Sequence, residues 1–252
     1  MAKRRYSPIK EYAKFPRPKL LFKFIRFFLI KGYKRPKIEY EVELDNSRPI
    51  VFIGNHCQIH GPLMGHFGFL EDARIWCTNE VLYWKSCPEY AFDMFLGGYQ
   101  KPKNKQWLYR ILSYLMTPLL LLAFRGADVI PVYRDARLVT TYNKSAETIN
   151  DGKNIIIYPE CPEPLNDFIN KFNPGFVDIA RFMKLKAKKE IVFVPIYLAP
   201  ELKTIKVGKP IEYDYSRNVK EQREELLEKL QNEVTRLGES LPEHKVVYFI
   251  NR

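Results

Sequence analysis

Four consecutive apolar residues, Ile50-Val51-Phe52-Ile53, stop at Gly54 and are followed at once by Asn55, His56, Cys57, Gln58, Ile59 and His60. A β-branched and aromatic run without alternation reads as a strand covered on both faces, the kind found in parallel sheets. Such sheets gather their chemistry outside the carboxyl ends of the strands, so the spacing presents Asn55 and His56 at the mouth of a sheet. Other strand signals fall at 38–44, 73–78, 128–132, 154–158, 191–198, 203–207 and 246–250. Between them lie helical patterns over 62–70, 107–124, 136–150, from 174 onward and over 219–238. This alternation predicts an α/β fold: a single domain over 38–252, with a largely parallel sheet flanked by helices. Residues 79–106 and 159–173 read as irregular chain.

The charge is unevenly placed. The chain carries +12, and residues 1–37 hold 13 Lys and Arg against the single acid Glu11. The remaining residues, 38–252, carry 28 charges of each sign and are neutral. An arm so basic expects a polyanion. Lys19, Lys23 and Arg26 recur on one helical stripe, and Leu20, Leu21, Phe22, Phe24, Ile25, Phe27, Phe28, Leu29 and Ile30 fill the rest. That composition suits an anionic membrane surface, with aromatics buried and cations among head groups, and does not suit nucleic acid. The alternative is that these apolar residues pack on the protein's own core. The run is too short and too charged to span a bilayer, and no small-residue cleavage site follows it. The second apolar stretch, 107–124, reads as a core or lipid-facing helix with Pro118 inside it. Cys57, Cys77, Cys87 and Cys161 show no C-x-x-C pairing and are expected as free thiols in a reducing cytoplasm.

Four landmarks recur in the order known from one enzyme family. They are Gly54-Asn55-His56; Arg125-Gly126-Ala127-Asp128-Val129-Ile130-Pro131-Val132-Tyr133-Arg134; Gly152 through Ile155-Ile156-Ile157-Tyr158-Pro159-Glu160; and Val192-Phe193-Val194-Pro195-Ile196. Across roughly residues 45–236 the chain resembles the glycerolipid acyltransferases of the 1-acylglycerol-3-phosphate type. The resemblance implies transfer of a fatty acyl group from a thioester of coenzyme A or acyl carrier protein to a lysophospholipid hydroxyl. It implies no bound metal or organic cofactor, and work at the cytoplasmic face of a membrane. His56 would be the general base and Glu160 would shape the acceptor pocket. Arg134, with Arg125, would hold the acceptor phosphate, and Asn55, His60 and Cys161 would join the substrate-binding set.

Two positions depart from the family pattern. Its motif-one aspartate, which orients the histidine and stabilises the imidazolium, falls at Gly61, and the glycine after the motif-three glutamate is Cys161. Three explanations stay open: Glu160 or another acid supplies the carboxylate, His60 orients His56, or the fold binds lipid without turnover. A metal site on the His56/His60 pair, and Cys161 as an acyl-accepting nucleophile, are further readings of the same residues.

Overall fold

The computed structural model describes residues 22–24, 27, 35–68 and 72–249. Most of the expected arm helix therefore lies outside the described residues; within it Phe22, Lys23, Phe24 and Phe27 are helical, and Phe24 and Phe27 are exposed. In chain order the elements are β1 (Lys37–Tyr40), β2 (Ile50–Gly54), α1 (His60–Gly68), β3 (Ala73–Thr78), α2 (Gln106–Gly126), β4 (Ile130–Val132), α3 (Leu138–Asn150), β5 (Asn154–Ile157), β6 (Glu160–Pro164), β7 (Asn170–Phe172), α4 (Ile179–Lys186), β8 (Val192–Ala199), β9 (Thr204–Val207), β10 (Ile211–Glu212) and α5 (Val219–Glu239). The fold is α/β with a mostly parallel sheet flanked by helices, as the alternation predicts. By contacts the described residues divide into two compact units, one drawn mainly from 35–68, 72–76 and 141–249, the other mainly from 77–140.

In the larger unit the strands lie in the order β1-β9-β8-β2-β5-β3. β2 runs parallel to both neighbours, with Phe52 opposite Val194 on one side and Ile156 on the other. Every residue of β2 and β8 is buried, the consequence of covering a parallel sheet on both faces. β9 and β10 join β8 antiparallel. α5 buries Leu226, Leu230, Val234 and Leu237 on one stripe and turns its charges outward. Its first turn is capped by Asn218, whose side chain accepts from the Lys220 amide.

The smaller unit centres on α2 and a core of Val81, Leu82, Tyr83, Val129 and Tyr133. Residues 79–106 are not irregular throughout: they form short turns of helix at Asn79–Leu82, Cys87–Tyr90 and Ala91–Phe95. α2 is inverted for a helix in water. It buries Ser113 and Thr117 completely, while Trp107, Leu108, Ile111, Leu115 and Leu119 are exposed, Leu115 at 71%. The two hydroxyls are satisfied within the helix, by the carbonyls of Arg110 and Ser113.

Two other expectations change. The loop expected over 159–173 is a small hairpin of β6 and β7. The strand expected at 246–250 is irregular chain over 246–249, with residue 250 outside the described set. Its β-branched residues are strand-like locally, but its carbonyls are taken by side chains and not by a neighbouring strand.

Candidate functional site

β2 ends in a glycine for a steric reason. A Cβ at Gly54 would stand 2.6 Å from Ile196 Cγ1 and 2.8 Å from the Ile196 carbonyl oxygen of β8. Beyond it the backbone turns sharply, and Cys57 and Gln58 both take left-handed conformations, with φ of 47° and 56°. Two such residues without glycine are costly, and surrounding contacts must hold them. Asn55, 2% exposed, supplies the main one: its Oδ1 accepts from the Leu198 amide at 2.8 Å and its Nδ2 donates to the Leu198 carbonyl at 3.0 Å. Its amide is thus engaged with β8, a positioning role. α1 then begins at His60, whose amide donates to the Cys57 carbonyl at 3.0 Å.

His56 sits in the bend of this turn. Its backbone N–H donates to Glu160 Oε2 at 2.6 Å, and Glu160 Oε1 accepts from the Asn170 amide at 2.8 Å. Glu160, 8% exposed, therefore ties the end of β2 to β7 through backbone groups. The role expected for it on the imidazole is not what the geometry has: among the described residues no hydrogen bond joins a carboxylate to the His56 ring, and Nδ1 is enclosed without a partner. The ring is packed between aromatics, with Phe249 at 4.6 Å and Tyr158 edge-on at 5.7 Å between centroids. The Tyr158 hydroxyl donates to the Gly61 carbonyl at 2.9 Å.

Burial sets the electrostatics. It pulls the His56 imidazole down to about 4, against an opposing pull from the backbone of Gln58 and of His56 itself. It lifts the Glu160 carboxyl to about 7, against the stabilising N–H donors of His56 and Asn170. The Cys57 thiol is raised as well, first by burial and then by the nearby Glu160. At neutral pH the site thus holds a neutral imidazole, able to accept a proton but weakly basic.

His60 is exposed at the head of α1. Cys161 follows Glu160 in β6 and is partly buried. Arg125 and Arg134 belong to the smaller unit. The Arg125 guanidinium donates twice to the Leu82 carbonyl, at 2.6 and 2.9 Å, so part of its donor set is already engaged. Arg134 is exposed. Among the described residues no three His, Cys, Asp or Glu side chains gather as a metal-ligand set. Four residues now stand out that the sequence did not single out: Gln58, Tyr158, Asn170 and Phe249. Only Tyr158 carried a local signal, as the aromatic before Pro159-Glu160. A broad cleft of about 1000 Å³ opens at the start of β2, lined by Glu41, Arg48, Asp72, Lys153 and Glu190 among others, at the opposite end of that strand from His56.

No protein-family model matches the chain, and searches of curated proteins and of solved structures return no match.

Proposed function

We propose that the protein transfers a fatty acyl group from an acyl thioester to the hydroxyl of a lysophospholipid-type acceptor at an anionic membrane surface. The observation that carries this reading is an imidazole packed among aromatics at the carboxyl end of β2, with its backbone fixed by Glu160. His56 would take the hydroxyl proton as the oxygen attacks the thioester carbonyl. The carbon–sulfur bond then breaks, and the leaving thiolate recovers that proton from the imidazolium. With Nδ1 enclosed, Nε2 is the atom for this work, and Nδ1 must carry the other ring proton. With no carboxylate on the ring among the described residues to stabilise the imidazolium, His56 is a slower base than one backed by a carboxylate. The phosphate role of Arg134 rests on the sequence resemblance.

The inverted face of α2 supports the membrane half of the proposal. Water favours buried leucines and exposed serines, and a bilayer interface reverses that preference. Lys101, Lys103 and Lys105 precede the amino end of the same helix, and Trp107 lies in its first turn. Cations and aromatics at one end suit anionic head groups. Ile111→Asp with Leu115→Asp should cut flotation with anionic vesicles by roughly tenfold or more, on the scale of the central-bilayer cost of an acid, while the melting temperature holds. Unchanged flotation of the double variant would remove α2 from the interface.

A second reading, lipid binding without turnover, is favoured by the absence, among the described residues, of a carboxylate on the imidazole. Thiol release from acyl-coenzyme A, followed with several lysophospholipids, separates the two. Wild type should turn over, and His56→Ala should lose roughly 10²-fold or more. Saturable acceptor binding with no thiol release would give the second reading the site.

A further inference from the structure

The last described stretch runs from the end of α5 back to the His56 turn. His244 hydrogen-bonds with the Tyr197 hydroxyl at 3.0 Å, the Lys245 amide donates to Glu201, and Val247 packs on the core around β2 and β8. At the turn itself Gln58 Nε2 donates to the Tyr248 carbonyl at 3.0 Å and Asn170 Nδ2 donates to the Phe249 carbonyl at 2.6 Å. The Phe249 ring then rests on the imidazole. Both amides belong to residues already organised around the site. Gln58 holds one of the two left-handed conformations, and Asn170 gives its backbone N–H to Glu160.

We propose that residues 245–249 form a strap that closes over His56 and must move aside to admit the acyl acceptor. This rests on the acyl-transfer reading of the same site. Phe249 packs against the imidazole that the proposed reaction uses, so acceptor and strap compete for that side of the ring. The ties are those of a segment built to open. Among the described residues it joins no sheet, and its last two residues are held by two side-chain amides, one ring contact and a long hydrogen bond from the Tyr248 hydroxyl to the Asn166 carbonyl at 3.4 Å. Segments with few buried contacts and no ladder open well below the global unfolding cost. The sequence fits a strap that leaves water when it opens: Val246-Val247-Tyr248-Phe249 follows Lys245 and suits a lipid surface better than free solution.

The experiment is carbethoxylation of the full-length protein by diethyl pyrocarbonate, read residue by residue by mass spectrometry. Exposed His60 serves as the internal reference. In wild type His56 should react much more slowly than His60. Phe249→Ala, and a chain ending at Lys245, should each raise the His56 rate at least tenfold and leave His60 unchanged. If the shortened chain does not fold, Gln58→Ala in the full chain removes one tie and should move the rate the same way. An unchanged His56 rate in Phe249→Ala and Gln58→Ala overturns the proposal. The acceptor KM supplies the second arm: it should fall in Phe249→Ala, whereas a rise would make Phe249 a wall of the acceptor pocket and sink the strap. Fast His56 modification without acyl transfer in any variant would remove the acyl-transfer reading and leave the strap intact.

Discussion

Gly61→Asp, the substitution that would return the carboxylate expected by the resemblance, should collapse the site and not repair it. A Cβ at Gly61 would lie 1.9 Å from the His56 carbonyl oxygen and 2.7 Å from its carbonyl carbon. The obstacle is backbone, so no side chain can swing away to relieve it. Either α1 or the strained turn at Cys57 and Gln58 must shift, and either shift moves His56. Overpacking of this kind costs about 3 kcal/mol or more, which in a chain of this size lowers the melting temperature by roughly 10 °C. Gly61→Ala should do nearly the same damage, because the first carbon is already too close. A Gly61→Ala protein that melts with wild type would show that the close approach does not exist. The missing aspartate is therefore not a simple deletion of charge. α1 starts early enough to press its second residue against the His56 carbonyl, and the position has no room for any side chain.

Glu160 carries the other large effect, through the backbone. Glu160→Ala strands the amides of His56 and Asn170, each buried donor costing about 1–3 kcal/mol, and it releases the turn that holds the imidazole. Glu160→Gln should be milder, keeping one acceptor oxygen and setting an NH2 against the other donor. The pH dependence identifies the group. The folded carboxyl is raised from 4.5 to about 7, so its contribution to stability is complete below pH 4.5 and is lost as pH rises through about 7. His56, lowered from 6.5 to about 4, works the other way: stability falls as pH drops from 6.5 through about 4. Between pH 4.5 and 6.5 the two slopes oppose each other. The stability difference between wild type and Glu160→Gln isolates the carboxyl, and in urea melts it should shrink steadily from pH 4.5 to 7. A difference that is flat or grows over that range would mean Glu160 is not held protonated by burial.

Sequence by itself determined what local burial determines. An unalternating run at 50–53 can only be a covered strand, and Gly54-Asn55-His56 had to follow at its carboxyl end. The leucine and valine stripe of α5 and the alternation of strands with helices were equally legible, because periodicity reports which face meets the core. The apolar character of 107–124 was legible too, but not its orientation; that Ser113 and Thr117 turn inward while Leu115 faces out depends on what α2 packs against. Contacts between residues far apart in the chain were decided only by the tertiary structure. Glu160 was singled out for a role at the imidazole, yet its oxygens reach the backbone N–H of His56, 104 residues away, and of Asn170. The amide of Asn55 is likewise engaged with Leu198, 143 residues on. Residues 246–249 look like a strand because their side chains are strand formers. They form a strap because β2 already pairs with β5 on one side and β8 on the other, leaving the carbonyls of Tyr248 and Phe249 to the amides of Gln58 and Asn170.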